Sequence, residues 1–256
     1  MRRLLLPLLL LGSATALTRA EVERWPVLYR QGDVKQTFTA PEKATLSALI
    51  GGLNRKPEVQ ALKKKYEYFG GLSLTGVQFS LVAPFRSARP ERLTVFDVYR
   101  SEPPIALVVL SGGTSSAWIV EPTGNMNLCG WKQGYTLRDL DMNGQREFAL
   151  VVGCGDGPWG GYALDLFAWH NGELRMWGGF PVYRTEPESD GMSGVQLETQ
   201  RTVHVQKGRV PQFAAVTTEQ RTRWTETGPP QRLSTRTFTE PVRLDDETGY
   251  LVRRLW

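Results

Sequence analysis

The chain has 256 residues, 41% of them hydrophobic and 10% aromatic, with a formal charge of +5. Such a composition fills a core and excludes general disorder, and the length allows one large β domain or two small ones. The charge falls to +2 without Arg2, Arg3 and Arg19, since residues 1–20 carry no acid, and no concentrated basic face remains of the kind a dedicated nucleic-acid binder needs.

The first 20 residues predict a secretory signal. Met1-Arg2-Arg3 is a basic start, Leu4 to Leu11 an apolar stretch, and Gly12 to Ala16 a small-residue region with the Ala14-x-Ala16 cleavage pattern. The cut falls after Ala16 or after Ala20. The apolar run is shorter than the roughly 20 residues a bilayer span needs. With no other long apolar stretch, the expected mature protein is exported to the periplasm or beyond and is not membrane-embedded. An aromatic C-terminal strand is a feature of outer-membrane barrels. Arg253 and Arg254, and the lack of lipid-facing alternation elsewhere, exclude that reading.

Residues 21–71 read as an extended and helical segment. Trp25-Pro26 breaks the chain early, and 21–40 looks extended or irregular. Thr39 followed by Ala40-Pro41-Glu42 is a helix start, with Leu46, Leu49 and Ile50 at helical spacing. Gly51-Gly52 predicts an interruption. Pro57 to Tyr68 resumes with Val59, Leu62 and Tyr66 on one stripe, and Lys63 to Lys65 on its solvated face.

From 72 to 256 the period changes to that of strands, predicting an antiparallel β domain, propeller-like or a sandwich. Candidates are 74–83, 93–100, 105–110, 116–121, 133–139, 147–153, 161–169, 173–180, 201–206, 209–217, 220–226, 233–240 and 249–255. Asn171-Gly172 is a type I′ hairpin signal, and Lys207-Gly208 a second turn. Residues 184–195, rich in Glu, Ser, Asp and Gly, predict a loop, and Thr and Arg alternate with apolar residues over 201–240.

The segment 139–147 carries the most chemistry. Asp139, Asp141, Asn143, Gln145 and Glu147 place oxygen ligands at alternate positions, and Gly144 permits a sharp bend between them. Hard cations such as calcium take six to eight oxygens from such a set. The loop is not an EF-hand, because Leu150 stands where that motif needs a bidentate glutamate. The competing reading is a plain turn in which carboxylates cap backbone N–H groups.

With the apolar run 148–152, the glycine-rich stretch from Gly153 to Gly161, and Asn171-Gly172, the region from about 133 to 177 resembles one blade of an FG-GAP or VCBS-type repeat. In such repeats the loop binds calcium as a structural clasp, and blades build β-propellers used for adhesion or recognition. Only one such copy is present, where a propeller needs several. Asn143 replaces an acid, and Arg146 adds a positive charge.

Cys129 and Cys154 predict a disulfide in an oxidising compartment, stabilising by about 3 kcal/mol through loop closure. Free buried thiols are the alternative. A hairpin centred near residue 143 pairs Cys154 with Lys132, so a bend at Gly130-Trp131 is needed to bring Cys129 across.

Catalytic patterns are weak. Gly113 to Ala117 loosely fits a nucleophile elbow, with Asp165 and His170 downstream, but a strand follows where a helix is required. His170 and His204 are isolated and do not suggest zinc. Nothing places Asp156 opposite Asp165 as glycoside hydrolysis requires. Trp159, amid glycines and near Tyr162, is a candidate aromatic platform for sugars or peptides, the alternative being that it folds over the core. These readings predict a non-enzymatic exported module with a structural calcium loop, whose partner is an envelope protein or a glycan. A secreted hydrolase of glycans or esters, or a purely structural domain, are the alternatives.

Overall fold

The computed structural model describes residues 17–30, 38–66, 69–86, 89–99, 105–112, 115–122, 129–156, 159–188, 194–225, 228–244 and 250–256. The signal reading on residues 1–16 lies outside them. The protein is mainly β and antiparallel, with few helices.

A short helix α1 (Arg19–Val22) is capped by Thr18 and Glu21, and Val22 is fully buried. Strand β1 (Val27–Tyr29) follows Pro26, within the stretch expected to be extended or irregular. Helix α2 (Ala40–Leu53) starts at the predicted Thr39 cap, with Glu42 completing a capping box. Contrary to expectation, Gly51-Gly52 does not interrupt it. Leu46, Ile50 and Leu53 continue one buried stripe through the glycines, and that packing outweighs their low helix propensity. Helix α3 (Pro57–Lys65) buries Val59 and Leu62.

Five strands form one sheet: β2 (Val77–Ala83), β3 (Glu91–Tyr99), β4 (Ile105–Ser111), β5 (Ser116–Pro122) and β13 (Tyr250–Arg254), in the order β13-β5-β4-β3-β2. Its middle strand is buried on both faces, so it reads as an unbroken apolar run from Ile105 to Leu110. One face packs on the helices: Ile50, Leu53, Val59 and Leu62 join Phe96, Leu107, Val109 and Ile119.

The other sheet runs β12-β11-β10-β9-β8-β7-β6, with β1 added to β10. These strands are β6 (Cys129–Thr136), β7 (Phe148–Asp156), β8 (Trp159–His170), β9 (Glu173–Pro187), β10 (Val195–Gln206), β11 (Gln212–Arg223) and β12 (Gln231–Val242). The predicted strands 209–217 and 220–226 are one strand, because the polar stretch Thr218 to Gln220 is paired on both sides. The predicted loop 184–195 is shorter: β9 runs on to Pro187 and β10 starts at Val195, while 189–193 lie outside the described residues. Asn171 and Gly172 have φ of 51° and 78°, as a type I′ turn requires. Lys207-Gly208 belongs instead to a longer connection between the paired residues Gln206 and Gln212.

The two sheets pack face to face as a sandwich, not as radial four-stranded blades. Phe148 stacks on Phe167 with centroids 5.0 Å apart, and Trp118 meets Trp169 edge-on at 5.2 Å. Phe79, Leu93, Trp118, Leu150 and Tyr250 fill this seam. β9 bends at its bulges and leaves β10, and β1 takes its place: Val27 stands opposite His204. A third cluster packs β10–β11 (Val203, Val205, Phe213) against Val151, Leu164 and Leu166. Segment 21–71 therefore serves both sheets.

Candidate metal loop and its surroundings

Residues 137–147 connect β6 to β7 and are anchored at both ends. Leu137 and Leu140 are buried, the Leu137 N–H donates to the Glu147 carbonyl at 2.8 Å, and the Gly208 N–H to the Leu140 carbonyl at 3.1 Å. Trp169 Nε1 donates to the Arg146 carbonyl at 3.1 Å. The chain reverses through two left-handed residues, Met142 at φ 61° and Gly144 at φ 84°. Met142 is exposed, so this backbone conformation is set by the loop and not by packing of its side chain.

Three predicted ligands converge. One carboxylate oxygen from each of Asp139, Asp141 and Glu147 lies within 4.8 Å of the other two. Asp139 accepts from the N–H of Asn143 at 3.0 Å and of Gly144 at 2.9 Å, and Asp141 Oδ1 accepts from Asn143 at 3.1 Å. Glu147 is fully buried; its Oε2 accepts from the Leu140 N–H at 2.8 Å, while Oε1 has no hydrogen-bond partner. Burial pushes the Glu147 carboxyl up to about 7; the Leu140 bond pulls it back, and the Asp141 and Asp139 charges add to the rise. Burial, with help from the Asp139 charge, also raises Asp141.

Two predicted ligands are directed elsewhere. Asn143 Oδ1 accepts from the Gln145 N–H at 2.7 Å and its amide donates to Asp141, closing an Asx turn. Gln145 Nε2 donates to the Arg86 carbonyl at 2.7 Å, fastening the loop to the segment after β2. The local turn and the neighbouring backbone satisfy these amides before a shared centre does. The anchors Leu137, Leu140 and Trp169 were not foreseen as part of the site; the apolar residues interleaved with the acids were the available signal.

The cysteines lie opposite each other. The lower hairpin pairs Thr136 with Phe148, which centres the turn on 142, one residue earlier than expected. A bulge between Trp131 and Gln133 shifts the register once more, bringing Cys129 opposite Cys154. Cys154 is disulfide-bonded and no cysteine is free.

Gly153 to Gly161 is not a loop: all of it but residues 157–158, which are outside the described residues, lies in the β7–β8 ladder, with Asp156 opposite Trp159. The Trp159 side chain also lies outside the described part. Tyr162 is half-buried, its ring 5.5 Å from that of Tyr183 across the ladder.

Ser116 begins strand β5, so no helix follows the elbow-like sequence. Asp165 is buried and accepts from the Tyr250 hydroxyl at 2.8 Å. Burial pushes Asp165 up to about 7, against the lowering by that bond, and burial beside Asp165 raises Tyr250. His170 is exposed at a turn, and His204 Nδ1 meets the Trp25 carbonyl at 3.0 Å.

No protein-family model, no curated protein and no solved structure matches this chain. The likeness to FG-GAP or VCBS blades therefore rests on the sequence pattern of residues 133–177 alone.

Proposed function

We propose that the protein is an exported, non-enzymatic β module in which the 139–147 loop holds a calcium-type cation as a structural clasp on the β6–β7 hairpin. The observation that carries this is Glu147: a fully buried carboxylate oxygen without a hydrogen-bond partner, beside the carboxylates of Asp139 and Asp141. A buried charge of this kind needs a counter-charge or a proton. The three carboxylates, with backbone carbonyls of the loop, form the hard oxygen donor set such an ion takes. The cation would join both flanking strands through one short segment, opposite the end that the cysteines secure. An envelope protein or a glycan is the partner class this reading implies.

Calorimetric titration with calcium, together with thermal melts, tests the clasp. Calcium in hundredfold excess over its Kd stabilises by about 2.7 kcal/mol if it binds only the folded state. Heat and melting shift both vanish in Asp139→Ala/Asp141→Ala and in Glu147→Gln. A wild type that shows neither sinks the metal assignment.

The export reading rests on the signal-like sequence of residues 1–20. Thr18 caps α1 and Val22 is buried, so cleavage after Ala16 leaves this helix whole, whereas cleavage after Ala20 cuts through it. N-terminal sequencing of the protein recovered outside the cytoplasm should therefore read Leu17 first. An uncleaved Met1, or a start at Glu21, contradicts this.

A further inference from the structure

We propose that the outward face of β10, β11 and β12, around Trp224, is a binding groove for a neutral oligosaccharide. This gives a chemical class to the glycan partner and uses no residue of the metal loop.

Cross-strand register builds the groove. Gln196 stands opposite Thr222 and Glu198 opposite Gln220, and Thr222 stands opposite Arg232 on β12. Opposed residues of an antiparallel pair share a face, so these side chains line one surface. They surround a cleft of about 330 Å³ that Trp224 and Pro230 also line. Trp224 extends β11, its N–H bonding the Gly194 carbonyl at 2.8 Å. Its side chain is 57% exposed, and Nε1 donates to Gln196 Oε1 at 2.9 Å. That bond fixes the indole over the sheet and leaves much of its apolar surface to solvent. A large aromatic left exposed at a polar cleft, and held in one orientation, is preorganised for stacking.

The lining selects the ligand. Gln220 Nε2 donates to Thr222 Oγ1 at 3.1 Å, so the polar lining is held in place as hydrogen-bonding groups of the kind a polyhydroxyl ligand meets, and Glu198 and Arg232 supply one charge of each sign. A nucleic acid needs several uncompensated cations, and a protein partner needs a broader apolar centre. Neither is found among the described residues that line this cleft.

The same face continues inward. Tyr162, Tyr183, Gln200, Thr218 and Thr237 form one cross-strand row over five strands. That row lies six positions from Trp224 along β11, about 20 Å at roughly 3.3 Å per residue. Two aromatic stations so far apart fit an extended chain of sugars, not a monosaccharide. The sequence-predicted Tyr162 stands beside Tyr183 in that row, half-buried and packed against the cluster of Val203, Val205 and Phe213, so the second station is Tyr183.

Calorimetric titration of the full chain with cellohexaose, maltohexaose and chitohexaose tests the proposal. Saturable binding of at least one is expected, weakened at least about tenfold in Trp224→Ala, which corresponds to about 1.4 kcal/mol. Trp224→Phe retains most of the affinity, and Asp139→Ala/Asp141→Ala binds like the wild type, so failure of the metal clasp and failure of the groove are distinguishable. Circular dichroism melts check that the exposed Trp224 variants stay folded. The proposal is overturned if none of the three sugars binds, or if Trp224→Ala binds as tightly as the wild type.

Discussion

Asp165 is an acid inside the seam between the sheets, where it accepts a hydrogen bond from the Tyr250 hydroxyl. Gly179 stands opposite it in the ladder, and a Cβ there would come within 2.3 Å of Asp165 Oδ1. The folded state therefore keeps the proton to about 7, whereas the unfolded chain releases it near the ordinary 3.8. Between these values the folded state binds more protons, so stability falls as pH rises from 4 to 7 and levels off above. Asp165→Asn should remove about one proton from the slope of unfolding free energy against pH over this window. Denaturant melts in chelator at several pH values measure it, and an unchanged slope refutes the assignment. Asp165 was a legible acid in the sequence, but its role was not, because alternation within a strand cannot tell which face meets another sheet.

At the scale of elements, the disulfide-bearing hairpin depends on a missing side chain. A Cβ on Gly134 would sit 2.0 Å from Phe79 Cδ1, so β6 approaches β2 closely only because Gly134 has none. Gly134→Ala should cost about 1–3 kcal/mol by overpacking, visible as a lower melting temperature, and less than additively with Phe79→Leu. A melting temperature equal to wild type would show that the sheets can part without cost. Most strands were legible from apolar alternation and turn residues, including the Asn171-Gly172 hairpin and the Thr39 cap. Continuity was not. Gly51-Gly52 and Thr218 to Gln220 look like breaks, and only tertiary neighbours keep α2 and β11 whole. The bulge that aligns the cysteines leaves no mark in composition. The acidic loop was legible as a set of oxygens, but two of its five members turn to other backbone partners, Asn143 within the loop and Gln145 on the segment after β2, which spacing alone does not reveal. Trp224 was overlooked because the predicted strand 201–206 starts too late, which left Gln196 and Glu198 outside any strand and hid the face they share with it.

The whole molecule is one buried seam with layers on either side. Helices α2 and α3 cover one sheet, and β10 and β11 fold over the far face of the other. Phe148 stands at the centre, touching Phe79, Phe167 and Trp169. Phe148→Ala should cost about 3–5 kcal/mol, the range for emptying a buried aromatic site. Hydrogen exchange should report it as faster opening of β4 and β7 together, since both line the same cluster. Opening confined to β7 would argue that the sheets are stable separately.

Strand β13 joins residues 250–254 to residues 118–122. A ribosome must therefore have synthesised residues 250–254 before the smaller sheet can close. Until then β5 presents an unpaired border of Trp118, Ile119 and Val120, all buried in the finished protein. Nascent or truncated chains should thus be clients for holding chaperones, with self-association as the cost of delay.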